Sequence, residues 1–148
     1  MNSAYKKAMK EFDSGLYCAE SVLKVITKEE GIHSDLFPGI ATGFCSGMAR
    51  TNNMCGAITG GIMALNIIFG RQSPKEPVES SYTAVQELIS LFEKEFGTSN
   101  CQELLGINLG AKNGTQQFID KKLHKKCREC TGKAAQFTRF IIDRRSKK

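Results

Sequence analysis

A chain of 148 residues with 41% hydrophobic side chains has the size of one domain and enough apolar mass to build a core without covalent staples. A net charge of +6 with only 8% aromatic residues and no reader motif argues against a nucleic-acid binder. The first thirty residues are polar and mixed in charge, with no apolar stretch of the kind a secretion signal needs, so a cytoplasmic location is expected. Six cysteines in that reducing compartment point to metal binding or redox work rather than to structural disulfides.

Period-2 alternation is almost absent, there is no internal repeat, and helical spacing recurs along the chain. The expected fold is all-α: a multi-helix bundle in a single domain spanning residues 1–148. Ala19, Val22, Leu23 and Ile26 recur at three and four residues, and Gly31 is placed to end that helix in a left-handed conformation. A short element begins after Ser34 and carries Leu36, Phe37, Ile40 and Phe44. Residues 54–70 are apolar nearly all round but too few for a membrane span, and Asn66 interrupts them. They read as a buried central helix, with Gly56, Gly60 and Ala64 at spacing four allowing neighbouring backbones close. That glycine face suits packing within one chain or between two, so a homodimer is also open.

The clearest helix is expected over 74–96, with Val78, Tyr82, Val85, Ile89, Phe92 and Phe96 as its stripe. Ser73, Pro74 and Glu76 read as its start and Gly97 as its stop. Two more helices are expected over 115–126 and 133–144. Residues 121–148 hold 11 Lys and Arg against Glu129 and Asp143, a local charge of +9, whereas residues 1–120 sum to −3. Such a run reads first as a solvated helix face and second as a docking surface for an acidic partner.

Three cysteines fall at expected helix starts. Cys18 follows Asp13, Ser14 and Gly15; Cys55 follows Asn52 and Asn53 as candidate caps; Cys101 follows Ser99 and Asn100, with Gln102 and Glu103 completing a capping box. Unpaired N–H groups and the positive end of the helix dipole favour a thiolate there, although core burial explains small cysteines equally well. Cys127 and Cys130 form a Cys-x-x-Cys whose sulfurs share a helical face, flanked by Lys125, Lys126, Arg128 and Lys133. His33 and His124 are isolated in sequence and read as surface residues.

The pieces Gly15–Leu23, Ala41–Arg50, Cys55–Gly60 and Phe92–Gly106 occur in an order and spacing that resembles the C_GCAxxG_C_C family. That family is named for redox activity on the strength of its cysteines and of the genes it accompanies, and it implies no particular substrate. The resemblance places its four characteristic cysteines on Cys18, Cys55, Cys101 and Cys127. Cys45 and Cys130 are additions to that set, and Tyr17 and Cys45 stand where asparagine and glycine are usual.

Three readings follow. Cys18, Cys55, Cys101 and Cys127, with Cys45 and Cys130 as further candidates, hold an iron–sulfur cluster or a metal ion such as zinc for electron transfer or metal handling. Alternatively, a low-pKa Cys55, with Cys101 as a second catalytic thiol, performs thiol–disulfide exchange with a redox partner protein and no metal. In the third, the cysteines only pack the core and the protein serves as an interaction module.

Overall fold

In the computed structural model, which describes residues 3–146, the chain forms eight helices and, among the described residues, no strand. The all-α expectation holds. α1 (Ser3–Asp13) was not foreseen in the polar start of the chain, yet Ala4, Tyr5, Ala8 and Phe12 form a buried stripe at helical spacing. α2 (Cys18–Glu29) buries Ala19, Val22, Leu23 and Ile26 and ends as expected, with Gly31 left-handed at φ 70°.

The element expected after Ser34 is a 3₁₀ turn, Gly39–Phe44, preceded by a cis Phe37–Pro38 bond. Leu36, Ile40 and Phe44 are exposed, and of the expected apolar residues only Phe37 packs against the core, beside the buried Ala41. The next element, α3 (Cys45–Arg50), has the opposite hand: Ser46, Gly47, Met48, Ala49 and Arg50 all have φ between 57° and 66°. A left-handed turn costs a non-glycine L-residue about 1–2 kcal/mol each, so local bonds must offset it. The Thr51 hydroxyl donates to Met48 O at 2.6 Å, and Asn53 N–H donates to Gly47 O at 3.0 Å.

α4 (Gly56–Phe69) is the central helix, packed on α2, α5 and α8. Its first six residues, with Ala64 and Leu65, are buried; Asn66 and Ile67 reach the surface, so it is not buried along its whole length. The glycine spacing acts as expected towards α2. A Cβ on Gly60 would lie 2.5 Å from Ala19 O and 2.8 Å from Ala19 Cα, and one on Gly56 would lie 2.4 Å from Cys18 Sγ.

α5 (Glu79–Phe96) starts later than expected. Pro77 disfavours helical geometry at Glu76, and the supposed cap residues form a turn instead, with Glu76 accepting from Gln72 N–H. Its buried face is Ala84, Leu88 and Phe92, flanked by Val85 and Ile89, while Tyr82 is exposed. Gly97 ends it at φ 85°. α6 (Cys101–Leu105) and α7 (Gly114–Asp120) are short. The helix expected over 115–126 breaks at Lys122, φ 54°, and α8 (His124–Ser146) runs through both Cys127 and Cys130.

The basic C-terminal helix clamps the bundle. Arg128 forms a bidentate pair with Asp13 of α1, Arg139 reaches Glu29 and Glu30 of the second helix, Lys133 pairs with Glu95, and Arg144 and Arg145 converge on Glu87. These cations are thus engaged by acidic residues of the same chain; Lys147 and Lys148 lie outside the described residues. Such partly exposed pairs contribute at most about 1 kcal/mol each.

The core has two parts. The larger joins α1, α2, α4, α5 and α8 and includes Cys18, Cys45, Cys55 and Cys130. The smaller consists of Cys101, Leu105 and Ile107, packed with Leu109, Phe118, Leu123 and Cys127. No helix among the described residues is long and apolar enough to cross a membrane.

Because Gly60 sets the distance between α2 and α4, Gly60→Ala should lower stability by about 1–3 kcal/mol through overpacking, read as a lower urea midpoint. An unchanged midpoint would mean that these backbones are not in register-defining contact.

Candidate functional site

The two parts of the core are joined by a short extended contact rather than by a helix. Met54 and Asn100 form an antiparallel bridge: Cys55 N–H donates to Ser99 O at 2.8 Å and Cys101 N–H donates to Asn53 O at 2.8 Å. α4 and α6 therefore begin side by side. Asn100 locks the arrangement by accepting from Glu103 N–H and donating from its side-chain amide to Asn52 O. The Asn100 half of the expected capping box forms; Glu103 instead accepts from the Thr98 hydroxyl. Neither Asn52 nor Asn53 caps α4. Cys55 itself occupies the cap position, with extended backbone at ψ 131°.

Cys18 is the first residue of α2, where Tyr17 N–H donates to the Glu20 carboxylate and that carboxylate also accepts from Thr42. Cys127 and Cys130 lie one helical turn apart on α8 and turn to the same side. These elements enclose a cavity of about 150 Å³ lined by Cys18, Cys55, Cys101, Cys127 and Cys130. The sixth cysteine, Cys45, is buried in the larger part of the core beside this site, and its thiol donates to Ala41 O at 3.7 Å. The cavity lies at the seam of the two core parts, with Cys18, Cys55 and Cys130 from the larger and Cys101 and Cys127 from the smaller.

All four family positions thus meet at one place, joined there by Cys130 but not by Cys45. Sequence reasoning missed other parts of the lining. His124 is exposed, as expected, but its ring also packs 4.9 Å from Phe12 and lines the cavity, as do Arg50 and Lys126. His33 is exposed in a loop. The backbone of the left-handed turn serves the site too. A Cβ on Gly47 would sit 2.6 Å from Cys101 Cβ, so only glycine admits that sulfur so close to the turn.

Burial, not helix position, sets the thiol chemistry. Burial, then the nearby Cys55, pushes Cys101 up to about 12, and burial with Cys55 and Cys101 pushes Cys127 to about 12. The neighbouring Cys130 thiol and then burial raise Cys55 well above the ordinary value, against the downward pull of the Ala57 and Ile58 N–H groups. Cys18 is raised in the same way by its neighbour Cys45 and by burial. Cys45 is lowered, chiefly by Cys18. The expectation of a low-pKa Cys55 is therefore corrected: its neighbour Cys130 and the loss of water together outweigh the helix end. Cys18, Cys55, Cys101 and Cys127 are held towards the neutral thiol. Among the described residues no three His, Cys, Asp or Glu side chains are disposed to hold a single metal ion.

Fold and site together define an all-helical protein organised around a shared thiol cavity. The chain belongs to the C_GCAxxG_C_C family: residues 16–141 match the family model described as "Putative redox-active protein (C_GCAxxG_C_C)". No curated protein and no solved structure matches the chain.

The raised thiols give stability a definite pH dependence. Cys101 and Cys127 ionise near the ordinary 9.0 when unfolded but only near about 12 when folded, so stability is complete below 9.0 and is lost as pH rises towards about 12. In guanidine titrations of the reduced protein, stability should fall more steeply across that window than in Cys101→Ser or Cys127→Ser. Parallel profiles would show that these thiols ionise alike in both states.

Proposed function

We propose that this protein is an electron-transfer protein whose cavity holds an iron–sulfur cluster on Cys18, Cys55, Cys101 and Cys127. The observation that carries the reading is the donor set: thiols from α2, α4, α6 and α8 facing one largely apolar cavity of about 150 Å³. Sulfur donors suit iron–sulfur clusters and other soft metal centres. A single zinc ion needs its ligands to converge on one point, and no three candidate ligands do so among the described residues. A cluster of several irons takes its thiolates around a perimeter, which matches sulfurs spread over the cavity wall.

Such a cluster, when bound, supplies a one-electron couple. The chain's own groups would then act as follows. The four thiols lose the protons that burial had held on them. The Ala57 and Ile58 N–H groups at the start of α4 act on Cys55, and Arg50 and Lys126 line the site, so positive charge offsets the thiolates. Phe12, Leu105 and Phe118 keep water away. Cys127, the half-exposed sulfur, marks the side from which a redox partner approaches.

The thiol–disulfide reading with Cys55 as attacker is weaker. An attacking thiol needs access and a thiolate fraction; Cys55 is buried and its pKa is raised.

Anaerobic reconstitution with ferrous iron and sulfide should give a coloured protein with several irons and matching sulfide per chain. Each of Cys18→Ser, Cys55→Ser, Cys101→Ser and Cys127→Ser should lose most of that colour while keeping the helical circular dichroism, and Cys45→Ala should retain it. A folded wild-type protein that stays colourless, or takes one ion and no sulfide, would overturn the proposal. Because the donors come from both parts of the core, amide exchange over residues 101–123 should slow on loading; unchanged exchange there would place the iron elsewhere.

A further inference from the structure

The basic residues of the C-terminal third divide by what they touch. From Arg128 onwards each described cation of α8 is ion-paired: Arg128 with Asp13, Lys133 with Glu95, Arg139 with Glu29 and Glu30, and Arg144 and Arg145 with Glu87. Ahead of Arg128 the pattern reverses. Among the described residues no carboxylate pairs with Lys112, Lys121, Lys122, Lys125 or Lys126, nor with Arg50 of the left-handed turn. Residues 106–127 hold those five lysines against Asp120 alone, a local charge of +4. Asp120 accepts from the Gln116 amide at 2.7 Å rather than from a lysine.

These cations surround the mouth of the thiol cavity. Arg50 and Lys126 line it, and Lys121, Lys122 and Lys125 are exposed along a stretch whose Phe118, His124 and Cys127 line it too. Lys126 is steadied by Phe96, with Nζ 4.9 Å from the ring centre. Another part of the lip is apolar: Tyr17 lines the cavity yet is 56% exposed, and Met48, 36% exposed, adjoins the lining Gly47. Glu20, near Tyr17, is already engaged by Tyr17 N–H and the Thr42 hydroxyl. An apolar patch beside a charged rim is the anatomy of a protein interface.

We infer that this face docks an acidic protein and, on the cluster reading, an acidic one-electron carrier. Carboxylates of the partner meet Arg50 and the lysines, and an apolar part of its surface covers Tyr17 and Met48. One electron then passes between the two centres on the Cys127 side, with no bond made or broken. Charge selects this occupant, because a second copy would set the same cations against each other across the interface. The apolar lip favours a folded protein over a plain polyanion.

Full-length, reduced, metal-free protein is mixed with a glutamate-rich peptide, and a carbodiimide couples touching amines and carboxylates for mapping by mass spectrometry. Cross-links are expected at Lys121, Lys122 and Lys125 about tenfold more often than at Lys6, Lys28, Lys75 and Lys94, which are also exposed. They should fade at about 0.5 M salt. Combining Lys121→Glu, Lys122→Glu and Lys125→Glu should remove them at unchanged helical circular dichroism. An even spread over the exposed lysines overturns the inference, and so does a homodimer that buries these lysines. Tighter binding of duplex DNA to the same lysines at about 0.15 M salt assigns the face to nucleic acid and also overturns it. Electron exchange is read separately, on the loaded and reduced protein, with two cobalt(III) oxidants of opposite charge. The triple variant should react about tenfold more slowly with anionic tris(oxalato)cobaltate and no more slowly with the hexaammine cation; equal effects on both overturn the placing of these lysines beside the centre. A protein that shows the cross-links but takes no cluster supports the acidic-protein face and overturns the cluster reading.

Discussion

Two backbone hydrogen bonds, from Cys55 N–H to Ser99 O and from Cys101 N–H to Asn53 O, hold together parts of the chain that are 46 residues apart in sequence numbering. They start α4 and α6 at one place, and the rest of the site follows from them. The α4 glycines bring α2, and with it Cys18, against the same helix end, while the length of α8 carries Cys127 and Cys130 to the opposite wall. The left-handed turn at Ser46–Arg50 is what the chain must do to leave the 3₁₀ turn and reach Asn53 in the bridging position. Its unfavourable backbone is offset by the Thr51 and Asn53 bonds and by the close seat that Gly47 gives Cys101.

Two effects oppose each other at the sulfurs. Helix starts favour thiolate by a modest amount, up to about 2 kcal/mol in favourable geometry. Loss of water in an apolar cavity favours the neutral thiol by more, which is why Cys101 and Cys127 titrate near about 12. A buried cavity of neutral thiols is a poor place for nucleophilic attack and a good one for a cationic centre, whose charge reverses the balance.

Much of this was legible in the sequence because it depends on local rules. The apolar run of α4, its glycines at spacing four, the left-handed stop at Gly97 and the placing of Cys18, Cys55 and Cys101 at helix starts are all set within a few residues. What was not legible depends on tertiary context. Ser46, Met48, Ala49 and Arg50 carry no signal for positive φ, so the turn was invisible. Pro77 competed with Pro74 for the start of α5, and the nearer boundary to the core prevailed. The fate of the basic segment required knowing which helices touch: Arg128, Arg139, Arg144 and Arg145 read as a free cationic face until their acidic partners on α1, α2 and α5 were in view.

The central claim is that one cavity gathers Cys18, Cys55, Cys101 and Cys127 as a single ligand set across the seam of the core. Anomalous diffraction at the iron edge from crystals of the anaerobically loaded protein tests it most directly. The account predicts several irons in the cavity, bonded to those four sulfurs, with Cys45 and Cys130 unbonded. Iron at a separate position, a lone ion, or a centre held without Cys101 and Cys127 would contradict it.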